Sequence, residues 1–180
     1  MAIIGVMGSG NAEWPELAVP LGVWIADNGY DLLTGAGGGV MLSTARAFFT
    51  RIGRVGRSIG IIPSEPDSEL GFTPRPGYPN PFIDLPILTP LPRREATAPD
   101  NEITRNYINV LTSDVIIALP GERGTHDEVR LAKRFARPVL CFGPNGAFNT
   151  LPEEVEITRD IQRVYYFIKT FAFRLSGPVQ

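Results

Sequence analysis

An unbroken apolar run that feeds directly into a glycine turn and a charged helix constrains this chain most. In SDVIIALPGERGTHDEVRLAKR, residues 113–134, Val115, Ile116, Ile117, Ala118 and Leu119 offer no polar face. A strand of that kind must be covered on both sides, as parallel strands of α/β sheets are. Pro120-Gly121 ends it. Gly124 and Thr125 are expected to open a helix carrying Asp127 and Glu128 in its first turn and Lys133 and Arg134 later, the charge order its dipole favours. Unpaired amides at such a helix start form a ready anion site.

The rest of the chain repeats this unit. Ala2 to Met7 reads as a first strand that ends in Gly8-Ser9-Gly10-Asn11, with a helix from Pro15 to Asn28-Gly29 that Pro20 should kink or shorten. Tyr30 to Leu33 is a second strand running into Thr34-Gly35-Ala36-Gly37-Gly38-Gly39, followed by a helix over Val40 to Arg51 and a strand over Ser58 to Ile62. Asp100 reads as the cap of a helix reaching Leu111, Pro138 to Phe142 as a further strand, and Asp160 to Arg174 as a closing helix. Ten of the 17 prolines fall between Pro63 and Pro99, a segment with no periodicity beyond a short strand around Phe82 to Leu88. A stretch of that length without structure is expected to be a lid, an oligomer contact or a floppy insertion. Strands alternating with helices imply right-handed crossovers and a Rossmann-like, doubly wound, mainly parallel sheet with helices on both faces. The expectation is a single domain over 1–180 with the proline-rich insertion 63–99 inside it.

Composition narrows the function classes. A formal charge of −2 without a basic block argues against a general nucleic-acid binder. Of the 17 cationic residues only Lys133 and Lys169 are lysines; anion recognition by arginine and genomic base composition account for this equally. One cysteine, Cys141, and one histidine, His126, leave no disulfide framework and no cysteine–histidine metal site. Cys141 reads as a small buried strand residue and His126 as a helix-surface residue. No apolar run is long enough to span a membrane, and MAIIGVMGSG lacks the charged front of a signal peptide, so a cytoplasmic location is expected.

Three glycine turns stand at carboxyl ends of strands, where doubly wound sheets bind ligands. GSGNAE has Glu13, and GAGGGV has Val40, where the dinucleotide fingerprint needs glycine, and neither carries a Lys-Ser/Thr pair. A dehydrogenase and a nucleoside triphosphatase are therefore excluded. Each turn alone reads as a structural bend; together they point to phosphate-type binding. Two polar residues can be read both ways. Glu128 stands three residues after Thr125 and would cap the helix reciprocally with it. Arg105 would be a solvated helix residue, but it precedes the strand that delivers Glu128, so the two can meet over one pocket.

PGERGTHDE resembles the PGGxGTxxE motif of the LOG superfamily, once labelled lysine decarboxylases. The match covers Pro120, Gly121, Gly124, Thr125 and Glu128 and departs at Glu122, where the family has its second glycine. Thr34 to Met41, TGAGGGVM, resembles the family's upstream glycine turn. Arg105 lies 15 residues before Pro120, the separation of the family's Arg-Lys pair, with Asn106 in place of the lysine. The resemblance runs from residue 1 to about Gly143.

That resemblance implies one of two functions. LOG-type members are phosphoribohydrolases that cleave the N-glycosidic bond of nucleoside 5′-monophosphates, including AMP and cytokinin ribotides; Arg105 and Glu128 would then be catalytic. The other branch carries molybdenum cofactor, a phosphorylated anionic pterin, without known chemistry. The GxGN opening, the PGE turn, Asn106 and the proline-rich segment resemble the carrier branch, with no catalytic cofactor or metal. In either case Gly8, Ser9, Gly10, Asn11, Gly35, Gly37, Gly38, Gly39, Gly121, Gly124 and Thr125 would surround a small phosphorylated ligand, with Arg105, Glu128 and Arg123 beside it. A homodimer or homotetramer, with no nucleic-acid or membrane partner, is likewise implied by resemblance. Glu122 bears on the choice: facing the pocket, it would repel a nucleotide phosphate, and turned outward it would not.

Overall fold

A computed structural model describes residues 1–94, 99, 102–149, 151 and 154–175. The strands are β1 (Ile3–Met7), β2 (Asp31–Thr34), β3 (Ser58–Ile62), β4 (Ser64–Asp67), β5 (Gly71–Pro74), β6 (Leu85–Leu88), β7 (Val115–Ala118), β8 (Val139–Phe142) and β9 (Ile157–Thr158). The helices are α1 (Pro15–Asp27), α2 (Gly39–Phe49), α3 (Asn106–Thr112), α4 (Arg123–Arg134) and α5 (Ile161–Leu175). Seven strands form one parallel sheet in the order β6-β3-β2-β1-β7-β8-β9. From β1 the chain builds outward through β2, β3 and β6, then returns to place β7 on the other side of β1. The strand order therefore reverses between β1 and β7. A crevice opens there because the loops after these two strands leave in opposite directions.

Alternation along each strand splits the core into two layers. Ile4 and Val6, Val115 and Ile117, and Leu140 and Phe142 pack with Leu21 and Ile25 of α1, Phe48 of α2 and Val164 and Ile168 of α5. Met7, Ile116, Ala118 and Cys141 pack on the opposite side with Val110 of α3 and Val129, Leu131 and Ala132 of α4. The apolar run of β7 is thus explained: both its faces lie under helices, and Val115 to Leu119 are fully buried. Burial also pushes the Cys141 thiol up to about 12, which leaves it inert. No helix among the described residues is long and apolar enough to cross a membrane.

Three expectations change. The segment from Pro63 to Pro99 holds more than the short strand expected around Phe82 to Leu88, which is present as the edge strand β6: β4 and β5 make an antiparallel hairpin ahead of it. Prolines are tolerated there because a strand at the margin need not donate every amide to a neighbour. The third strand-to-strand helix starts at Asn106 rather than at Asp100, which lies outside the described residues. Finally, Pro20 does not shorten α1, which runs through it from Pro15 to Asp27.

Candidate functional site

The crevice at the strand reversal is a cavity of about 200 Å³. Its wall comes from five segments. Gly8, Gly10 and Asn11 follow β1, Gly35 follows β2, and Glu122 to Thr125 with Glu128 form the turn after β7 and the start of α4. Arg105 and Asn106 open α3, and Arg93 and Arg94 close the proline-rich segment. Sequence-expected residues that line the cavity are therefore Gly8, Gly10, Asn11, Gly35, Arg105, Gly124, Thr125 and Glu128, together with Arg123.

Ser9, Gly37, Gly38, Gly39 and Gly121 lie instead in the joints between loops. The Ser9 amide donates to the Pro120 carbonyl at 3.0 Å, and the Val40 amide donates to the Ser9 carbonyl at 2.9 Å, so the first turn is clamped between the other two. A Cβ at Gly39 would fall onto the Ser9 carbonyl, and its φ of +58° disfavours any side chain. Added side chains would run into the Tyr78 ring at Gly37, the Gly10 carbonyl at Gly38 and Thr125 Oγ1 at Gly121. These glycines let three loops stack; they do not face the cavity.

Arg105 and Glu128 meet as the chain order suggested, and neither is solvated: they are 4% and 7% exposed. Arg105 Nη1 donates to the Ile61 carbonyl at 2.9 Å, and its guanidinium lies 5.7 Å from the Tyr78 ring centre. A Cβ at Gly35 would fall on that guanidinium, so the glycine exists to admit it. Arg105 Nε is buried without an acceptor among the described residues, an arrangement that leaves a donor for something else. Burial lowers the Arg105 pKa, with the neighbouring Glu128 opposing that shift.

Glu128 does not cap its helix. Because α4 begins at Arg123, Asp127 and Glu128 fall in the second turn, and Thr125 is too far inside the helix to act as its cap. Glu128 Oε1 instead accepts a hydrogen bond from Asn109 Nδ2 at 2.7 Å, across from α3. Burial raises the carboxyl to about 7, outweighing the opposite pull of Arg105 and of the Asn109 bond. Asn106, where the family has lysine, donates Nδ2 to Asp127 Oδ2 at 3.0 Å and to the Gly124 carbonyl at 3.3 Å, tying α3 to α4. His126 is half-buried rather than on the surface, and burial lowers its pKa.

Glu122 is exposed to solvent and lines the cavity at its mouth. Its Oε1 accepts from Ser9 Oγ at 2.7 Å. Arg93 and Arg94 were not singled out from the sequence, although the arginine bias and their position at the end of the proline-rich segment were a signal. Arg94 is held by the Pro99 carbonyl at 2.6 Å and by Asp127 at 3.4 Å. Arg93 makes no hydrogen bond or ion pair among the described residues, and a Cβ at Gly10 would lie 3.5 Å from its Nη2. Tyr78 and Asn80 fold the same segment over the second glycine turn: the Asn80 amide donates to the Ala36 carbonyl at 2.8 Å and Asn80 Nδ2 to the Gly37 carbonyl at 3.0 Å. The wall thus presents four guanidinium groups, from Arg93, Arg94, Arg105 and Arg123, against two carboxylates, one of them driven by burial toward its neutral form. Such a surface can hold a small anion.

The model of the SLOG cluster4 family matches residues 1–168. This chain belongs to the SLOG cluster4 family. The placement within the LOG superfamily, near its molybdenum cofactor carrier branch, holds. A protein of Archaeoglobus fulgidus is 30% identical to this SLOG cluster4 chain over 143 residues, 78% of this chain and 80% of its own length. The molybdenum cofactor binding protein of Rippkaea orientalis matches in structure with a TM-score of 0.70 and 30% identity, covering 95% of this chain and 97% of that one. The molybdenum cofactor carrier protein of Chlamydomonas reinhardtii matches with a TM-score of 0.70 and 29% identity, over 96% and 98% of the two chains. DNA processing protein A of Helicobacter pylori shares the fold alone, at 16% identity and a TM-score of 0.68.

Proposed function

We propose that this chain carries molybdenum cofactor, a phosphorylated pterin, in the cavity between β1 and β7. The observation that carries the reading is the buried Arg105, which lines a cavity with three further guanidiniums, in a chain similar to molybdenum cofactor carriers over nearly its whole length. A buried guanidinium whose donors are only partly paired, as Arg105 is by the Ile61 carbonyl, costs free energy in the folded protein, and an anionic ligand offsets that cost. The first-turn amides of α4 at Gly124 and Thr125 have no acceptor within their own helix and add donors at the same place. Arg93 and Arg94, carried by the end of the proline-rich segment, add guanidiniums to the ligand's wall, with Arg94 tied to α4 through Asp127. Tyr78 and Asn80 brace that segment, so it covers the ligand and limits its contact with water and oxygen. The carrier is a homodimer or homotetramer of the cytoplasm whose partner is one small anionic phosphorylated molecule.

Purified protein incubated with molybdenum cofactor should retain it through gel filtration and slow its oxidation, read as delayed appearance of the fluorescent oxidised pterin. Passage of the cofactor at the rate of a protein-free control would refute the reading. A second reading rests on Glu128, a carboxyl near neutrality beside a guanidinium, which is the pairing a glycosidic-bond acid needs. In that reading Arg105 and Glu128 are catalytic in a phosphoribohydrolase. Glu122 at the cavity mouth weighs against AMP as its substrate, because a carboxylate there disfavours an anionic nucleotide that offers it no paired hydrogen-bond donors. Release of adenine from AMP, abolished in Glu128→Ala, would establish the hydrolase.

A further inference from the structure

The cavity contains a contradiction that a phosphate alone does not resolve. Four guanidiniums suit an anion, yet Glu122 sets a carboxylate among them. That carboxylate makes no ion pair among the described residues; its hydrogen-bond partner is the neutral hydroxyl of Ser9. The hydroxyl is itself fixed. Ser9 is 1% exposed, and its Oγ accepts from the amides of Asn11 at 3.1 Å and Ala12 at 3.0 Å, so its single proton is directed to Glu122 Oε1. Glu122 is thereby held as an oriented acceptor, with Oε2 and a second lone pair of Oε1 open. The other carboxyl of the wall is unsuited to that part, since Glu128 spends Oε1 on Asn109 and lies beside Arg105.

A ligand that satisfies the whole wall must bring an anion for the guanidiniums and a pair of adjacent N–H donors for Glu122. A 2-amino-4-oxopyrimidine ring supplies such a pair in its ring N–H and its exocyclic amine. Pterins and guanine share that edge. Adenine does not: beside its amine it presents a bare ring nitrogen, whose lone pair opposes a carboxylate. We propose that Glu122 is the specificity-determining residue of this site, accepting the two donors of a 2-amino-4-oxopyrimidine edge and so admitting phosphorylated pterins and guanine nucleotides while turning away adenine nucleotides. This rests on the reading of the cavity as the carrier's ligand site.

GMP and AMP carry the same ribose phosphate and differ only at the base edge, so calorimetric titration of the full chain with each tests the assignment. Wild-type protein should bind GMP at least about tenfold more tightly than AMP, the discrimination a two-point base contact provides. Glu122→Gln keeps the side chain's shape and its contact with Ser9 while removing the charge. It should weaken GMP binding and strengthen binding of both AMP and inorganic phosphate, two changes of opposite sign that a loosened turn cannot produce. Changes of one sign for both nucleotides in Glu122→Gln, or equal affinities in wild-type protein that still retains molybdenum cofactor, would overturn the assignment to Glu122 and leave the carrier reading standing. Failure of wild-type protein to bind cofactor, GMP and AMP alike would overturn both.

Discussion

Replacing Glu128 by glutamine should make the protein's stability less sensitive to pH, with a sign and size that follow from where the carboxyl lies. Burial between α3 and α4 raises Glu128 from an ordinary value of 4.5 to about 7, although Arg105 and Asn109 pull it down. The folded protein therefore holds this proton more firmly than the unfolded chain does. The resulting stabilisation is complete below about pH 4.5 and disappears as pH rises through about 7. At 1.36 kcal/mol for each tenfold change in acidity, the displacement from 4.5 to about 7 corresponds to about 3 kcal/mol. Most of it falls between about pH 5 and 8. Glutamine keeps the size of the side chain and its ability to accept from Asn109 but has no proton to lose, so subtracting its melting curve from that of wild type cancels every other titrating group. Thermal denaturation of both proteins in phosphate-free buffers should show wild type losing roughly 5–10 °C relative to Glu128→Gln between about pH 5 and 8, at about 2–4 °C per kcal/mol for a domain of this size. A difference that is flat across that range, or that moves in favour of wild type as pH rises, would refute the argument that burial dominates this carboxyl.

Arg93→Ala should weaken binding of inorganic phosphate or of the cofactor by roughly tenfold with an unchanged melting temperature, because the side chain makes no hydrogen bond or ion pair among the described residues; titration calorimetry and a melting curve read the two effects. Gly35→Ala should displace the Arg105 guanidinium, destabilise the fold by about 1–3 kcal/mol and reduce ligand affinity; denaturant unfolding that matches wild type would show that Arg105 does not need the gap. Asp84→Ala should cost about 1–2 kcal/mol and leave ligand binding intact, since Asp84 accepts from Arg54 at 2.8 Å twice and from the Ser58 amide at 2.8 Å at the sheet edge; the figure is held low because the pair is partly exposed. Urea titration beside a binding assay separates those effects.

The elements were legible where the chain's local pattern and its environment agree. The run from Val115 to Leu119 announced a strand covered on both faces, and Ser58 to Ile62 appears as expected, because interior parallel strands carry an apolar signal with no competing reading. The proline-rich segment was harder. Leu85 to Leu88 is exposed at a sheet edge, and its pairing with β3 depends on a partner strand more than twenty residues upstream, which no local period reveals. The helix start was misplaced for a related reason: Thr125 and Glu128 have the spacing of a reciprocal cap, but Asn109, brought over by α3, claims the carboxyl.

Sequence by itself determined that glycine-bearing turns would leave the carboxyl ends of parallel strands, because apolar run, turn and helix follow one another along the chain and each is a local matter. Which glycines face a ligand and which only allow loops to stack was decided by the tertiary structure. The reversal of strand order between β1 and β7 brings turns from distant parts of the chain together, and the closeness of their backbones consumes the small residues at Gly37, Gly38, Gly39 and Gly121. The same packing delivers Arg93 and Arg94 from the far end of the insertion and buries both Arg105 and Glu128 in the wall of one cavity. Charge at a site depends on what surrounds each group in space, and that is a property of the assembled fold.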